Sequence, residues 1–204
     1  MSRIVDILRA AAAMLRTVQR GAAEAAHAAA RALVNLGYSV MLGERVRLAG
    51  WYSAECLDAD GRVLWRRRWP NLVTTAGKNH LLDTEMAGSA YTAAWYLGLI
   101  SSTSYSAVAA GDTMASHAGW TESTAYSNST RVAVSWSAAS SGTKASTTCT
   151  FNINATDTIK GAFLTTGSAK GGTTGTLYSA GLFTGGDQPV VNTNTLNVTY
   201  TASA

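Results

Sequence analysis

The chain has almost none of what metal sites and disulfide frameworks are made from. Cys56 and Cys149 are its only cysteines and His27, His80 and His117 its only histidines, in 204 residues. Two cysteines so far apart give neither a disulfide framework nor a zinc spacing, and they read as buried thiols of a protein made in a reducing cytosol. No run of about 20 apolar residues occurs, so no segment reads as a transmembrane helix. Asp6, Arg9 and Arg16 interrupt the segment where a signal peptide would need its apolar core. There is no Gly-x-Ser-x-Gly elbow. No catalytic constellation emerges, and the chain reads as a non-enzyme with no expected cofactor or metal. His117 with Asp112 and Glu122 matches no metal spacing and fits a loop organised by hydrogen bonds. Asp112 and Glu122 are the one carboxylate pair that could be weighed for glycan cleavage.

What the chain does have is written in two styles. Residues 1–36 are alanine-rich, arginine-bearing and free of proline. From residue 71 the composition turns to Thr, Ser, Gly and Asn interleaved with Val, Trp, Phe and Tyr. The first style favours helix and the second sheet. Charge divides the same way: up to residue 70 there are eleven cations and six anions, and afterwards five cations and six anions. The net positive charge therefore belongs to the first third. The later part has no basic patch, and no nucleic-acid partner is expected.

In the first part, Ile4, Leu8, Ala11, Leu15, Val18, Ala22, Ala25, Ala29, Ala32 and Leu36 recur at alternating steps of four and three, a heptad seam. Arg9, Arg16, Arg20, Glu24, His27 and Arg31 occupy the other face. Ser2 suits the N-cap, and Gly37 follows the last apolar position. The spacing predicts a helical stem over 1–36, about 50 Å long. Alanine buries little area, so the stem needs a packing partner. Candidates are other copies of itself, another protein, its own β domain or a membrane surface.

Residues 37–70 read as a β-hairpin connector turning at Asp58-Ala59-Asp60-Gly61. In Trp65-Arg66-Arg67-Arg68-Trp69, Arg66 and Arg68 fall on one face and Arg67 on the other. Guanidinium groups stacked on indoles explain this run better than phosphate binding. Residues 71–204 read as a β-sandwich or jelly-roll-like domain. Its one helix is expected within 74–87, capped by Thr75 and stopped by Gly88. Trp95 to Ile100 is apolar on both faces, hence a central strand. Val132, Val134 and Trp136 alternate with Arg131, Ala133 and Ser135, and Cys149, Phe151 and Ile153 with Thr148, Thr150 and Asn152. Trp120, Tyr126, Tyr105 and Tyr91 fall in or beside loops, and Trp120 and Tyr126 are the residues expected to contact a glycan.

Asn71-Leu72-Val73-Thr74-Thr75-Ala76-Gly77-Lys78-Asn79 with Leu81-Leu82-Asp83 resembles the opening of small virion proteins of tailed bacteriophages. The likeness continues through Trp95 to Ile100, through Ala110 to Met114 with Ser116 to Glu122, and through Asn194 to Tyr200. It covers residues 71–204 and not the stem. The resemblance implies a fibre, head-decoration or connector component, resident in the virion and made in the bacterial cytoplasm. The seam residues Ile4, Leu8, Leu15, Val18, Ala22, Ala25, Ala29 and Leu36 would then trimerise the chain or dock it on capsid, portal or adaptor. The β domain would be displayed, with a host surface glycan as a further partner. Two other readings are a glycan-binding receptor-recognition protein and a membrane-active ejection protein.

Overall fold

A computed structural model describes residues 48–86 and 94–204. The stem and its seam residues, the start of the hairpin, Gly88 and Tyr91 lie outside the described residues. The compact unit runs from Arg47 to Ala204. It is mainly β, with two antiparallel sheets and one short helix.

The first sheet is built from the two ends of this unit. Strand β1 (Ala49–Leu57) turns through Asp58, whose carboxylate accepts from the backbone N–H of Asp60 and Arg62, into β2 (Val63–Pro70). Gly61 supplies the positive φ of 78° that the turn needs. On its other side β1 pairs along its whole length with β12 (Thr195–Ser203), from Ala49 opposite Ser203 to Leu57 opposite Thr195. Strands β7 (Thr143–Ala145) and β8 (Cys149–Asn152) also pair with β12, which completes five strands.

The second sheet has seven strands. Its path runs from β3 (Leu72–Val73) through β10 (Leu177–Leu182), β9 (Asp157–Thr165) and β4 (Trp95–Ser101) to β5 (Thr121–Ser123). Strand β6 (Val132–Val134) pairs with β4, and β11 (Gln188–Val190) with β9. As its double-sided apolar sequence predicts, β4 is interior to this sheet.

Period-two alternation sends Tyr52, Ala54 and Cys56 of β1, Cys149 and Phe151 of β8, and Leu196, Val198 and Tyr200 of β12 inward. They meet Leu97, Leu99, Ile159, Ala162 and Leu164 of the second sheet in one core. Both cysteines are buried free thiols, as expected. The Tyr52 hydroxyl lies 2.8 Å from Ser179 Oγ on β10, and Asn71 Nδ2 donates to the Tyr200 hydroxyl at 2.8 Å, so the sheets are joined by polar bonds inside an apolar layer.

The second sheet is covered on its other face too. Ile100, Phe163, Leu177 and Ala180 pack there against Met114 and Trp120, which the long segment between β4 and β5 brings across. Gly98 makes room for this layer: a Cβ there would sit 2.3 Å from the Phe163 ring.

Helix α1 (Thr75–Met86) follows β3. Its cap is Thr74, one residue earlier than expected: Thr74 Oγ1 accepts from the Gly77 N–H at 3.0 Å and donates to the Leu177 carbonyl of β10. Gly77 lets the first turn press onto β10, where a Cβ would meet the Tyr178 carbonyl at 2.3 Å.

The boundary expected between a connector hairpin and a domain starting at residue 71 is corrected. The hairpin is not a connector. Strand β1 is interior to the five-stranded sheet, and Tyr52, Cys56 and Trp69 belong to the common core. A chain beginning at Arg47 is therefore expected to give a cooperative thermal transition by circular dichroism. A chain beginning at Asn71 lacks β1 and β2, exposes the β12 edge, and is expected to be insoluble or to unfold without a transition. A cooperative melt of the shorter chain would contradict this assignment.

Candidate functional site

The sequence places a glycan on the loop aromatics Trp120 and Tyr126. The structure corrects that expectation. Trp120 is 1% exposed and Tyr126 fully buried, so neither ring offers a face to a ligand. Trp120 lies 5.1 Å from Phe163 in the outer layer of the second sheet. Its indole N–H donates to Asp112 Oδ2 at 2.9 Å, and the same oxygen accepts from the Ala109 N–H. His117 stacks on the indole at 4.0 Å, with Nδ1 3.0 Å from the Trp120 carbonyl oxygen. Asp112, His117 and Trp120 thus clasp the covering segment, in line with the hydrogen-bonded loop expected there. Tyr126 sets its edge against Phe151. Lys170 Nζ lies 4.5 Å from the Tyr126 ring centre and donates to the carbonyls of Tyr126 and Asn128.

Glu122 is committed as well, to a partner the sequence did not reveal. Arg131 is 1% exposed. Its Nε and Nη2 donate to the two Glu122 oxygens at 3.0 and 2.7 Å, a bidentate pair. Nη1 donates to the Gly167 carbonyl and Nη2 to that of Gly172, while Glu122 Oε2 also accepts from the Gly171 N–H. The buried pair thereby fastens the glycine-rich loop that joins β9 to β10. Alternation along β6 says only that Arg131 opposes Val132. The available signal was its isolation, since no other arginine follows residue 68. Asp112 and Glu122 thus each hold the scaffold, the first through Trp120 and the second through Arg131.

The arginine run on β2 behaves as its alternation predicts. Arg68 lies over the Trp51 ring at 4.4 Å, Arg66 Nε donates to Glu55 at 3.1 Å, and Arg67 Nη1 donates to the Arg66 carbonyl. All three guanidinium groups serve their own sheet. Beyond them the outer face of the five-stranded sheet carries polar cross-strand rows: Glu55 to Asn197 to Thr150, and Ser53 to Thr199.

A more apolar concavity lies elsewhere. A cavity of about 270 Å³ opens beneath α1, where the two sheets separate. Helix α1 lines it with His80, Leu81, Thr84 and Glu85. The second sheet supplies Trp95, Leu164 and Tyr178. Trp136, Lys144, Tyr200 and Ala202 close the opposite side. Trp95 is held edge-on by His80 at 5.7 Å and by Tyr178 at 5.4 Å, and Trp136 edge-on by Tyr200 at 6.1 Å. The alternation of β6 foreshadowed an inward Trp136. Nothing in the sequence joined it to Trp95, whose place opposite Val134 is set by the pairing of β4 with β6.

Among the described residues, no group of three or more His, Cys, Asp or Glu side chains could hold a metal. No helix among them is long and apolar enough to cross a membrane.

Arg131→Met strands a buried carboxylate and is expected to cost about 3–5 kcal/mol, a fall in Tm of about 10 °C. Arg131→Met with Glu122→Gln together should cost less than the single change. A thermal melt of Arg131→Met within 2 °C of the parent, on the order of experimental scatter, would refute the clamp. Burial also pushes the Cys56 and Cys149 thiols up to about 11, and the hydroxyls of Tyr52, Tyr126 and Tyr200 upward. The unfolded chain releases these protons at lower pH than the native one. Stability is therefore full below about pH 9 and falls as pH rises from there through 11. Denaturant midpoints across that range test the sign. Native protein at pH 8 should also resist thiol reagents that label it once denatured.

No family model matches this chain, and no curated protein matches it.

Proposed function

We propose that this protein is a structural component of a tailed-phage virion, of the short-fibre kind. In this reading residues 1–36 form a helical stem that docks on the capsid or head-to-tail connector, or gathers three copies. The two sheets form a β-sandwich displayed from that anchor. The reading rests first on the compact unit that starts at Arg47, which leaves the whole heptad seam on the far side of the boundary. The phage-like resemblance of residues 71–204 points the same way.

The use made of charge is a second support. Glu122 and Arg131 pin a loop, Asp112 holds Trp120, Lys160 meets Asp187 at 2.8 Å, and Asp157 accepts from the hydroxyls of Ser101 and Ser123. These groups stiffen a scaffold, which suits a protein that works by being held in place. Repeated copies on a particle would let each weak contact count many times. Glycan recognition by the displayed domain loses the support of Trp120 and Tyr126 and retains that of the cleft under α1.

Deleting residues 1–36 tests the anchor. The shortened protein is expected to keep its melting transition and to be missing from purified particles. Light scattering should report a trimer for the full chain and a monomer for residues 47–204 if the stem itself assembles. Should it dock instead, both forms stay monomeric in solution and only incorporation is lost. Incorporation of the shortened protein at parental levels would refute the anchoring role.

A further inference from the structure

We infer that the cleft beneath helix α1 binds a single neutral sugar ring. This deepens the displayed-domain part of the proposed function by naming a site and a ligand class.

Two half-buried indoles line this one cavity, Trp95 and Trp136. Each is held by edge-on contacts with rings that also line the cavity. Such clamping keeps the rings oriented without a ligand, so little order has to be gained on binding. The C–H faces of a pyranose match flat aromatic surfaces of this kind, and its hydroxyls need donors and acceptors around them.

The rim supplies both. Thr84 Oγ1 donates to the His80 carbonyl and keeps its acceptor lone pairs. Lys144 Nζ donates one N–H to the Ser137 carbonyl and has two more. Glu85 is exposed and offers carboxylate oxygens. One cation and one anion leave the rim without net charge. That favours a neutral polyol over a phosphate or a carboxylate ligand. A volume of about 270 Å³ holds one ring and not an extended chain, so the ligand is a terminal residue of a glycan.

The test uses the full-length protein with D-glucose, D-galactose and N-acetyl-D-glucosamine, each titrated through the millimolar range. Saturation-transfer NMR and indole fluorescence give the readouts. At least one sugar is expected to bind with a millimolar Kd, and Trp136→Ala to weaken it by about tenfold or more. Glu85→Gln should weaken it by about threefold, while Trp51→Ala, on the outer face of the other sheet, leaves it unchanged. Should Trp136→Ala fail to fold, Glu85→Gln and Thr84→Ala on the helix carry the test. No response to any of the three sugars would overturn the inference. So would affinity indifferent to the cleft substitutions, or tighter binding of inorganic phosphate than of any sugar. Because the assay needs no particle, its failure leaves the incorporation result standing, and the reverse holds equally.

Discussion

Nine consecutive residues of β1 lie opposite nine of β12, and most of the architecture depends on that pairing. It joins segments almost 150 residues apart in sequence, so closing it carries a large loop-entropy cost. Strand β12 then carries β7 and β8, β1 carries β2, and the inward side chains of β1 and β12 supply six of the nineteen buried residues of the core. Within that core the Tyr52 hydroxyl crosses to Ser179, and Asn71 reaches the Tyr200 hydroxyl. The two layers are thereby fixed in register by directional bonds as well as by apolar contact.

The sequence announced strand character clearly, because alternation has a local cause. The central place of β4, the inward set of β8, the Asp58 turn and the buried thiols all followed from runs of under ten residues. Partners were another matter. Hairpin 49–70 looked like a connector because nothing local says that Tyr52 will meet Tyr200. Trp120 looked like a loop aromatic open to solvent. Yet the doubly apolar β4 already required cover for its second face, and Trp120 is part of that cover. Arg131 was legible only as an oddity, a lone arginine in a cation-poor stretch. Its meaning lies in carbonyls of Gly167 and Gly172, about 40 residues away. The cleft was illegible for the same reason, since Trp95 and Trp136 are brought near each other only by the pairing of β4 with β6, in which Trp95 lies opposite Val134.

A common theme links these corrections. Polar and charged groups that look like site chemistry in one dimension serve loops and layers in three. Asp112, Glu122, Arg131 and Lys170 tie down long connections that would otherwise cost conformational entropy without return. The rigid frame that results is suited to presenting a surface. The cleft under α1 differs from the rest in keeping aromatic area and polar capacity that the frame does not consume.

The antiparallel match of Ala49 with Ser203 also fixes where the molecule can be handled. Entry to the first strand and exit from the last lie side by side at one end of the five-stranded sheet. The Asp58–Gly61 turn lies at the opposite end, about 30 Å away at the usual rise per residue. A reporter fused after Ala204 would stand beside the start of β1. One spliced into the Asp58–Gly61 turn would stand clear of it, with its two ends already brought together by the hairpin. That turn is accordingly the natural place to load cargo onto this domain.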